Sequence, residues 1–314
     1  MTFPPTIFAM GGAHIDRRGR VSGSFVPGAS NPGTMAEDVG GGVFNALRTA
    51  SRRGARAALM SVRGGDAAAD SVAKAFSEAG IADLSAVFLD RSTPSYTALL
   101  NGDGDVVAAL ADMGLYDLAF TRQVRRAKVR EAVDGADAVF CDANLPAAAL
   151  QRLMSLARGK PVFAIAISPA KVTRLLGVLG ALSCLFLNRR EAVALAGAGD
   201  AIEMPDLVER LRGFGLARAM ITNGQAPVTA YDDDGMLSLM PPPARKVEDV
   251  TGAGDALAGA AAVALLHGKP FGEALREGIA AALLAVESRA SVPDFSRDGF
   301  AAALALVPQP VKMR

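Results

Sequence analysis

Hydrophobic positions along this chain fall into two alternating rhythms. Short runs with strand character, "TIFAM", "ARAALMSV", "ADAVFCD", "PVFAIAI", "LSCLFLN" and "RAMITNG", alternate with stretches of helical spacing. The helical stretches include 66–79, "PAAALQRLMSLA", "RREAVALAG" and a turn or two near 207–213. This is the rhythm of βαβ units and predicts a parallel sheet covered by helices on both faces. After Asp255 the pattern becomes almost purely helical, through "ALAGAAAVALL", "GEALREGIAAALLAV" and "GFAAALALV". Two segments break the rhythm. Residues 17–38 are polar and rich in Gly, Ser and Pro, and residues 93–112 read as a hairpin about "NGDG". They predict a small β lid inserted twice into the α/β body, covering a site at its edge and leaving a face for a second subunit. With no repeat, low-complexity tract or linker, residues 1–314 read as one α/β domain.

Composition narrows the function classes. Lys+Arg at 33 against Asp+Glu at 32 leaves no net field to attract nucleic acid or an anionic membrane. Cys141 and Cys184 lie in apolar stretches and read as small buried hydrophobes rather than a disulfide framework. "MTFPPTIFAMGG" has neither the basic start nor the apolar length of a signal peptide. The longest apolar runs fall short of the ~18 residues that suggest a membrane span. A soluble cytoplasmic protein is expected. His14 and His267 have no metal-ligand spacing to the cysteines, although His14 stands beside Asp16; His267 reads as a surface residue at a helix end.

The chemistry is concentrated in glycine clusters. None of Gly11-Gly12, Gly40-Gly41-Gly42 and Gly252-Ala253-Gly254 fits a P-loop or a dinucleotide fingerprint. "GGGVFNALRTASRRG" has the form of a loop opening a helix, with Gly42 and Asn45 one turn apart; a tight turn that permits close packing accounts for it equally well. "DVTGAGDALAGA" (249–260) is more specific. Gly252, Ala253 and Gly254 can turn backbone N–H groups toward one point at the positive end of the following helix. Asp255 there is either a plain N-cap or the base that takes the proton of an attacking hydroxyl, while the amides stabilise a transferring phosphoryl group. In "LNRRE", Asn188 ends a strand and Glu191 lies one helical turn on, where it reaches Mg²⁺ through water or simply faces solvent beside a helix cap. "TNG" (222–224) ends the next strand and opens a hairpin.

Together, "GG" with Asn45, "NRRE" and "DVTGAGDALAGA" resemble the ribokinase-like (PfkB-type) carbohydrate and nucleoside kinase family, over residues 6–295. The resemblance implies a three-layer α/β/α sandwich with a mainly parallel central sheet and a β lid, and a kinase using ATP and Mg²⁺. It implies that Asp255 is the general base and that the amides of Gly252, Ala253 and Gly254 form the anion hole. Asn188 and Glu191 then help place Mg²⁺ and phosphate, and Thr222, Gly224 and Thr251 flank the nucleotide. Asp16, with Gly41, Gly42 and Asn45, then holds the acceptor's hydroxyls. A monovalent cation such as K⁺ is expected near Asp249, its site completed by "ESRASVPD".

Within that family, "GASNPGT" (28–34), "TPSYTALLNGDGDVVAALADM" (93–113) and "CDANL" (141–145) resemble the pseudouridine kinases. This implies phosphorylation of the 5′-hydroxyl of pseudouridine, with Asn31, Thr93, Ser95 and Asn144 contacting base or ribose. The alternatives are a kinase for another nucleoside or sugar, such as ribose, adenosine or a ketohexose derivative, and a catalytically silent nucleoside-binding sensor. Two positions depart from the family pattern: "AIAISPAK" places Ile165 and Ala166 where relatives often carry "DP", and Pro227 replaces the second glycine expected after "TNG". A small-molecule substrate is expected as partner, and a homodimer through the lid or a monomer as the assembly.

Overall fold

The computed structural model describes residues 4–102, 104–288 and 292–313. Its strands are β1 (Thr6–Met10), β2 (His14–Val21), β3 (Gly33–Gly40), β4 (Arg56–Met60), β5 (Val62–Gly64), β6 (Ala82–Asp83), β7 (Ala86–Phe88) and β8 (Ser95–Leu100). They continue with β9 (Val106–Asp112), β10 (Ala138–Asp142), β11 (Val162–Ile165), β12 (Cys184–Asn188), β13 (Ala219–Asn223), β14 (Ala226–Asp232), β15 (Gly235–Leu239) and β16 (Val311–Met313). The α-helices are α1 (Gly42–Arg52), α2 (Ala67–Glu78), α3 (Gly114–Gln123), α4 (Ala127–Asp134), α5 (Ala147–Leu156), α6 (Arg189–Ala196), α7 (Met204–Gly213), α8 (Ala253–Leu266), α9 (Phe271–Val286) and α10 (Arg297–Leu306). A 3₁₀ segment spans Val172–Ala181.

The central sheet has ten strands in the order β16-β15-β14-β13-β12-β11-β10-β1-β4-β6. It is parallel from β13 to β6 and antiparallel from β13 to β16. Successive side chains of a strand point to opposite faces, so β1 feeds two cores. Ile7 and Ala9 join Phe44, Leu47, Phe76, Leu257 and Phe300 on the α1, α2, α8, α9 and α10 side. Phe8 and Met10 join Phe120, Val129, Leu150, Val193 and Leu207 on the α3–α7 side. These are the three layers the sequence implies. Both free cysteines are buried in these cores.

The 17–38 and 93–112 segments supply a second, four-stranded sheet in the order β3-β2-β8-β9. The first segment is wider than its composition suggests, since β2 already begins at His14 and β3 ends at Gly40. β8 and β9 form the expected hairpin, while β8 runs parallel to β2. Strand β16 carries no pattern of its own in the sequence; it adds to the antiparallel edge by pairing with β15. No helix among the described residues is long and apolar enough to cross a membrane.

Candidate active site

The site is built where the C-terminal ends of the central parallel strands meet the second sheet, the crevice in which open α/β sheets bind ligands. Three consecutive glycines between β3 and α1 let the elements close in. A Cβ on Gly40 would fall on the Asp16 carboxylate, one on Gly41 on the carbonyl oxygen of Gly12, and one on Gly42 on Ile167 Cδ1. Gly41, with φ 122°, is the N-cap of α1 and adopts a conformation that side chains rarely tolerate. The sequence reading left a packing turn and a ligand loop open for this cluster; it is a packing device whose residues also line the cleft.

Helix α8 begins at Gly252, a left-handed N-cap with φ 80°. Asp255 is therefore not the cap but the third residue of the first turn, with no capping bond of its own. Its Oδ2 accepts from Asn45 Nδ2 at 3.1 Å. Loss of hydration is the main cause that raises its carboxyl to about 7; the Asn45 bond opposes this, and the negative charges of Asp142, Asp16 and Glu191 add to it. Among the described residues, the buried Asn45 Oδ1 has no hydrogen-bond partner. Nothing stands within 4 Å of where a Cβ on Gly254 would lie, so this end of α8 is open, although the Ala253 N–H is turned back toward Val250 O at 3.4 Å.

Asn188 and Glu191 form a capping box at the start of α6. Asn188 Oδ1 accepts the Glu191 N–H at 2.9 Å, and Glu191 Oε2 accepts the Asn188 N–H at 2.7 Å. Glu191 is buried rather than solvated; burial raises its carboxyl, while the bonds from Asn188 act in the opposite direction. From β2, Asp16 reaches His14 Nε2 at 3.2 Å. The other ring nitrogen of His14 is 3.1 Å from the hydroxyl of fully buried Tyr116, which donates to Ala13 O at 3.1 Å.

These groups share one cleft of about 240 Å³. Asp16, Gly41, Gly42, Asn45 and Asp255 line one side of it, and Asn188, Glu191, Thr222, Thr251 and Gly254 also border it. Ile165, Ile167, Phe186, Met220 and Leu257 supply apolar wall. Gly224 lies outside the lining, with φ 59° in the turn of the expected β13–β14 hairpin. Pro227 is exposed where the register of that hairpin shifts, a position that tolerates a residue without an N–H.

The residues expected to choose the acceptor are more scattered. Asn31 is tied into its own loop, donating to Val26 O and Ala29 O and accepting the Val26 N–H. Ser95 is partly buried on β8 opposite Ile15. Thr93 is buried behind the site, where its backbone and hydroxyl donate to the Asp66 carboxylate and its Oγ1 accepts the Gly64 N–H. Asn144 is also buried, and its Oδ1 accepts from Lys171 Nζ at 2.6 Å. Asp249 is engaged on both carboxylate oxygens, by Arg18 from β2 and by the Thr251 N–H at 2.8 Å. Residues 289–291 of the "ESRASVPD" loop lie outside the described residues. His267 is the exposed C-cap of α8.

Two site features were not among the expected site residues, although the first lies in the stretch "CDANL" that carries part of the resemblance. Asp142, at the end of β10, is fully buried, with its oxygens accepting the Gly12 and Asn144 N–H groups at 2.9 Å; burial raises its carboxyl and those bonds lower it. Ile167 has φ 71°, a conformation no motif announces.

A three-layer sandwich whose cleft sets a carboxylate beside the open, glycine-led start of a helix defines a class of phosphoryl-transfer enzymes acting on small hydroxyl acceptors. The chain belongs to the pfkB family carbohydrate kinases, whose family model matches residues 5–296. It is similar to a carbohydrate kinase from Agrobacterium tumefaciens, with 46% identity, a TM-score of 0.85, and 98% of this chain and 99% of that one covered. It is 28% identical to the pseudouridine kinase of Escherichia coli (strain K12) over 276 residues, covering 86% of this chain and 87% of that protein. Arabidopsis thaliana ribokinase complexed with ribose and ATP shares the fold, with a TM-score of 0.85, 22% identity and 96% and 99% coverage. The protein is thus an ATP-dependent kinase that phosphorylates a small nucleoside or sugar, and the silent-sensor alternative falls away.

Proposed function

We propose that this kinase phosphorylates the 5′-hydroxyl of pseudouridine, giving pseudouridine 5′-phosphate. The chemistry of the reading rests on Asp255, held by Asn45 at the open start of α8 and carrying a carboxyl near neutrality. The acceptor rests on the likeness to a pseudouridine kinase along most of both chains.

In this reading Asp16 and Asn45 hold the ribose, with the buried Asn45 Oδ1 available to one of its hydroxyls. Asp255 takes the proton as the acceptor oxygen bonds to the γ-phosphorus and the bond to ADP breaks. The amides of Gly252 and Gly254 face the charge in transfer, while that of Ala253 is turned back toward Val250 O. Thr222, Gly224 and Thr251 flank the nucleotide. Among the described residues no group of three or more His, Cys, Asp and Glu stands where it could hold a metal by itself. That fits Mg²⁺, which takes one or two carboxylates and completes its shell with water and phosphate oxygens. Glu191 would hold it through water, with Asn188 beside it, and the ion supplies neutralisation of phosphate charge. Arg18 and the Thr251 N–H engage the Asp249 carboxylate, and a K⁺ ion bound near it would supply positive charge beside the start of α8.

The four-stranded sheet is the lid in this reading, part of one domain spanning 1–314. Asn31 and Ser95 meet the acceptor, while Thr93 and Asn144 support the site from behind. Met35, Val106 and Leu110 are exposed on the strands of this sheet, which supports a second copy of the chain as the partner in this reading.

The test is a panel of acceptors with ATP, read as ADP release. Pseudouridine is expected to give the highest kcat/KM. A preference for uridine, adenosine, ribose or a ketohexose derivative transfers the reading to that acceptor.

A further inference from the structure

Among the described residues, Ile167 is the one non-glycine residue with positive φ, at 71°. For a β-branched side chain this is a genuine outlier, and such backbone persists only where its surroundings over-determine it. The bonds around it do so. Ala143 N–H donates to Ile165 O at 3.1 Å, Ala166 N–H to Phe186 O at 3.1 Å, and Ser168 N–H to Ala166 O at 2.9 Å. The chain is pinned on both sides of Ile167, and its side chain is turned into the cleft.

What it meets there is specific. Ile167 Cδ1 fills the space that a Cβ on Gly42 would need, and that same point lies 3.4 Å from Asp255 Oδ1 and 3.5 Å from Ile165 Cγ2. The other Asp255 oxygen, Oδ2, is already held by Asn45. Oδ1 is therefore the oxygen left for the acceptor's proton, and it borders a volume closed by two isoleucine side chains.

We propose that Ile167 is a positioning residue for phosphoryl transfer: its left-handed backbone swings its side chain over Gly42, so that an apolar wall keeps bulk water off Asp255 Oδ1. This rests on the reading of Asp255 as the base. The groups facing Asp255 are Asn45 from α1, Asp16 from β2 with His14 behind it, Asp142 from β10 and Glu191 from α6. Loss of hydration is the largest single cause raising the Asp255 carboxyl, and Ile167 lines the cleft that Asp255 borders.

The experiment compares wild type with Ile167→Ala, Ile167→Gly and Ile167→Val, measuring kcat between pH 5 and 9 by ADP release and checking folding by thermal melts. Glycine adopts this φ without strain, so Ile167→Gly tests the side chain in a chain free to keep its fold. The acid limb of the alanine and glycine variants is expected to move down by about one pH unit. Their kcat is expected to fall, KM for ATP to hold, and valine to restore the limb most of the way. Folded variants whose kcat falls with the acid limb unmoved, or whose kcat does not change, overturn the proposal. Asp255→Asn is assayed alongside: if it keeps wild-type turnover the base reading itself fails, whatever the Ile167 variants do.

Discussion

Asp255 holds a carboxylate where water would rather have it, and this has two opposite consequences. For catalysis, a base must be ionised, so turnover is expected to rise with pH through about 7. Asp255→Ala is expected to lose roughly two or more orders of magnitude in kcat while ATP still binds, as calorimetry would show. For stability the sign reverses. A carboxyl raised from 3.8 to about 7 binds more protons folded than unfolded across that window, so its contribution falls as pH rises through it. Asp255→Asn, which can still accept the Asn45 bond, is therefore expected to melt higher than wild type at pH 8 and nearly level with it at pH 4. Asp16 depends on a chain of a different kind, through His14 to Tyr116. Tyr116→Phe removes the hydroxyl that meets both His14 and Ala13 O, the His14 bond contributing about 1 kcal/mol, and is expected to raise the acceptor's KM about fivefold, with KM for ATP unchanged. The sequence marked Asp255 because a glycine loop and the helix after it are local. It placed His14 beside Asp16 for the same reason, but the tyrosine that steadies the ring comes from 102 positions away. Thr93 shows the same limit from the other side. Its hydroxyl looked available in the sequence, but Asp66, 27 positions earlier, had already engaged it.

The elements that carry the site are legible in proportion to how local their causes are. Helix α2 runs where its pattern predicts because Asp66 caps it, accepting the Ala69 N–H at 3.1 Å. The same carboxylate fixes Thr93, so Asp66→Ala is expected to cost about 1–2 kcal/mol in urea unfolding. At α6 the spacing that suggested a metal ligand is also a capping box, two causes written in one motif. Helix α8 is different. Its alanine-rich run looks featureless, yet every residue from Ala256 to Ala264 is buried. Its small side chains let α1 come close, and a Cβ on Gly259 would collide with the carbonyl oxygen of Ala46. Gly259→Val is expected to destabilise by about 1–3 kcal/mol through overpacking, and to reduce activity by shifting Asn45 relative to Asp255. The turn at Ile167 could not be read, since its conformation is imposed by bonds from β10 and β12 rather than by its own residue type.

At the scale of the molecule, the second sheet is joined to the loop that leads into α8 by the Arg18–Asp249 ion pair. The alternation along β2 puts Asp16 and Arg18 on one face of that sheet, while Gly19 on the other lies beneath Leu99 and Met35. Leu110, opposite Thr97 on β9, belongs to this outer face. If a second copy covers it, Leu110→Glu is expected to halve the mass measured by light scattering without changing the fold by circular dichroism. The sequence foresaw both segments of the second sheet from their turn residues and alternation. It had no means of foreseeing the ion pair, whose partners are 231 positions apart.

That sheet has a further consequence. Strands β2 and β3 sit inside the crossover from β1 to β4, and β8 and β9 inside the connection from β6 to β10. The central sheet's register is set by pairings that none of these four strands makes. In the proposed reading, much of the choice of acceptor falls to these inserts and phosphoryl transfer to the body beneath them. Evolution, or an engineer, can exchange the two inserts between relatives, provided an Arg18-like cation still meets Asp249, and leave the machinery beneath them intact.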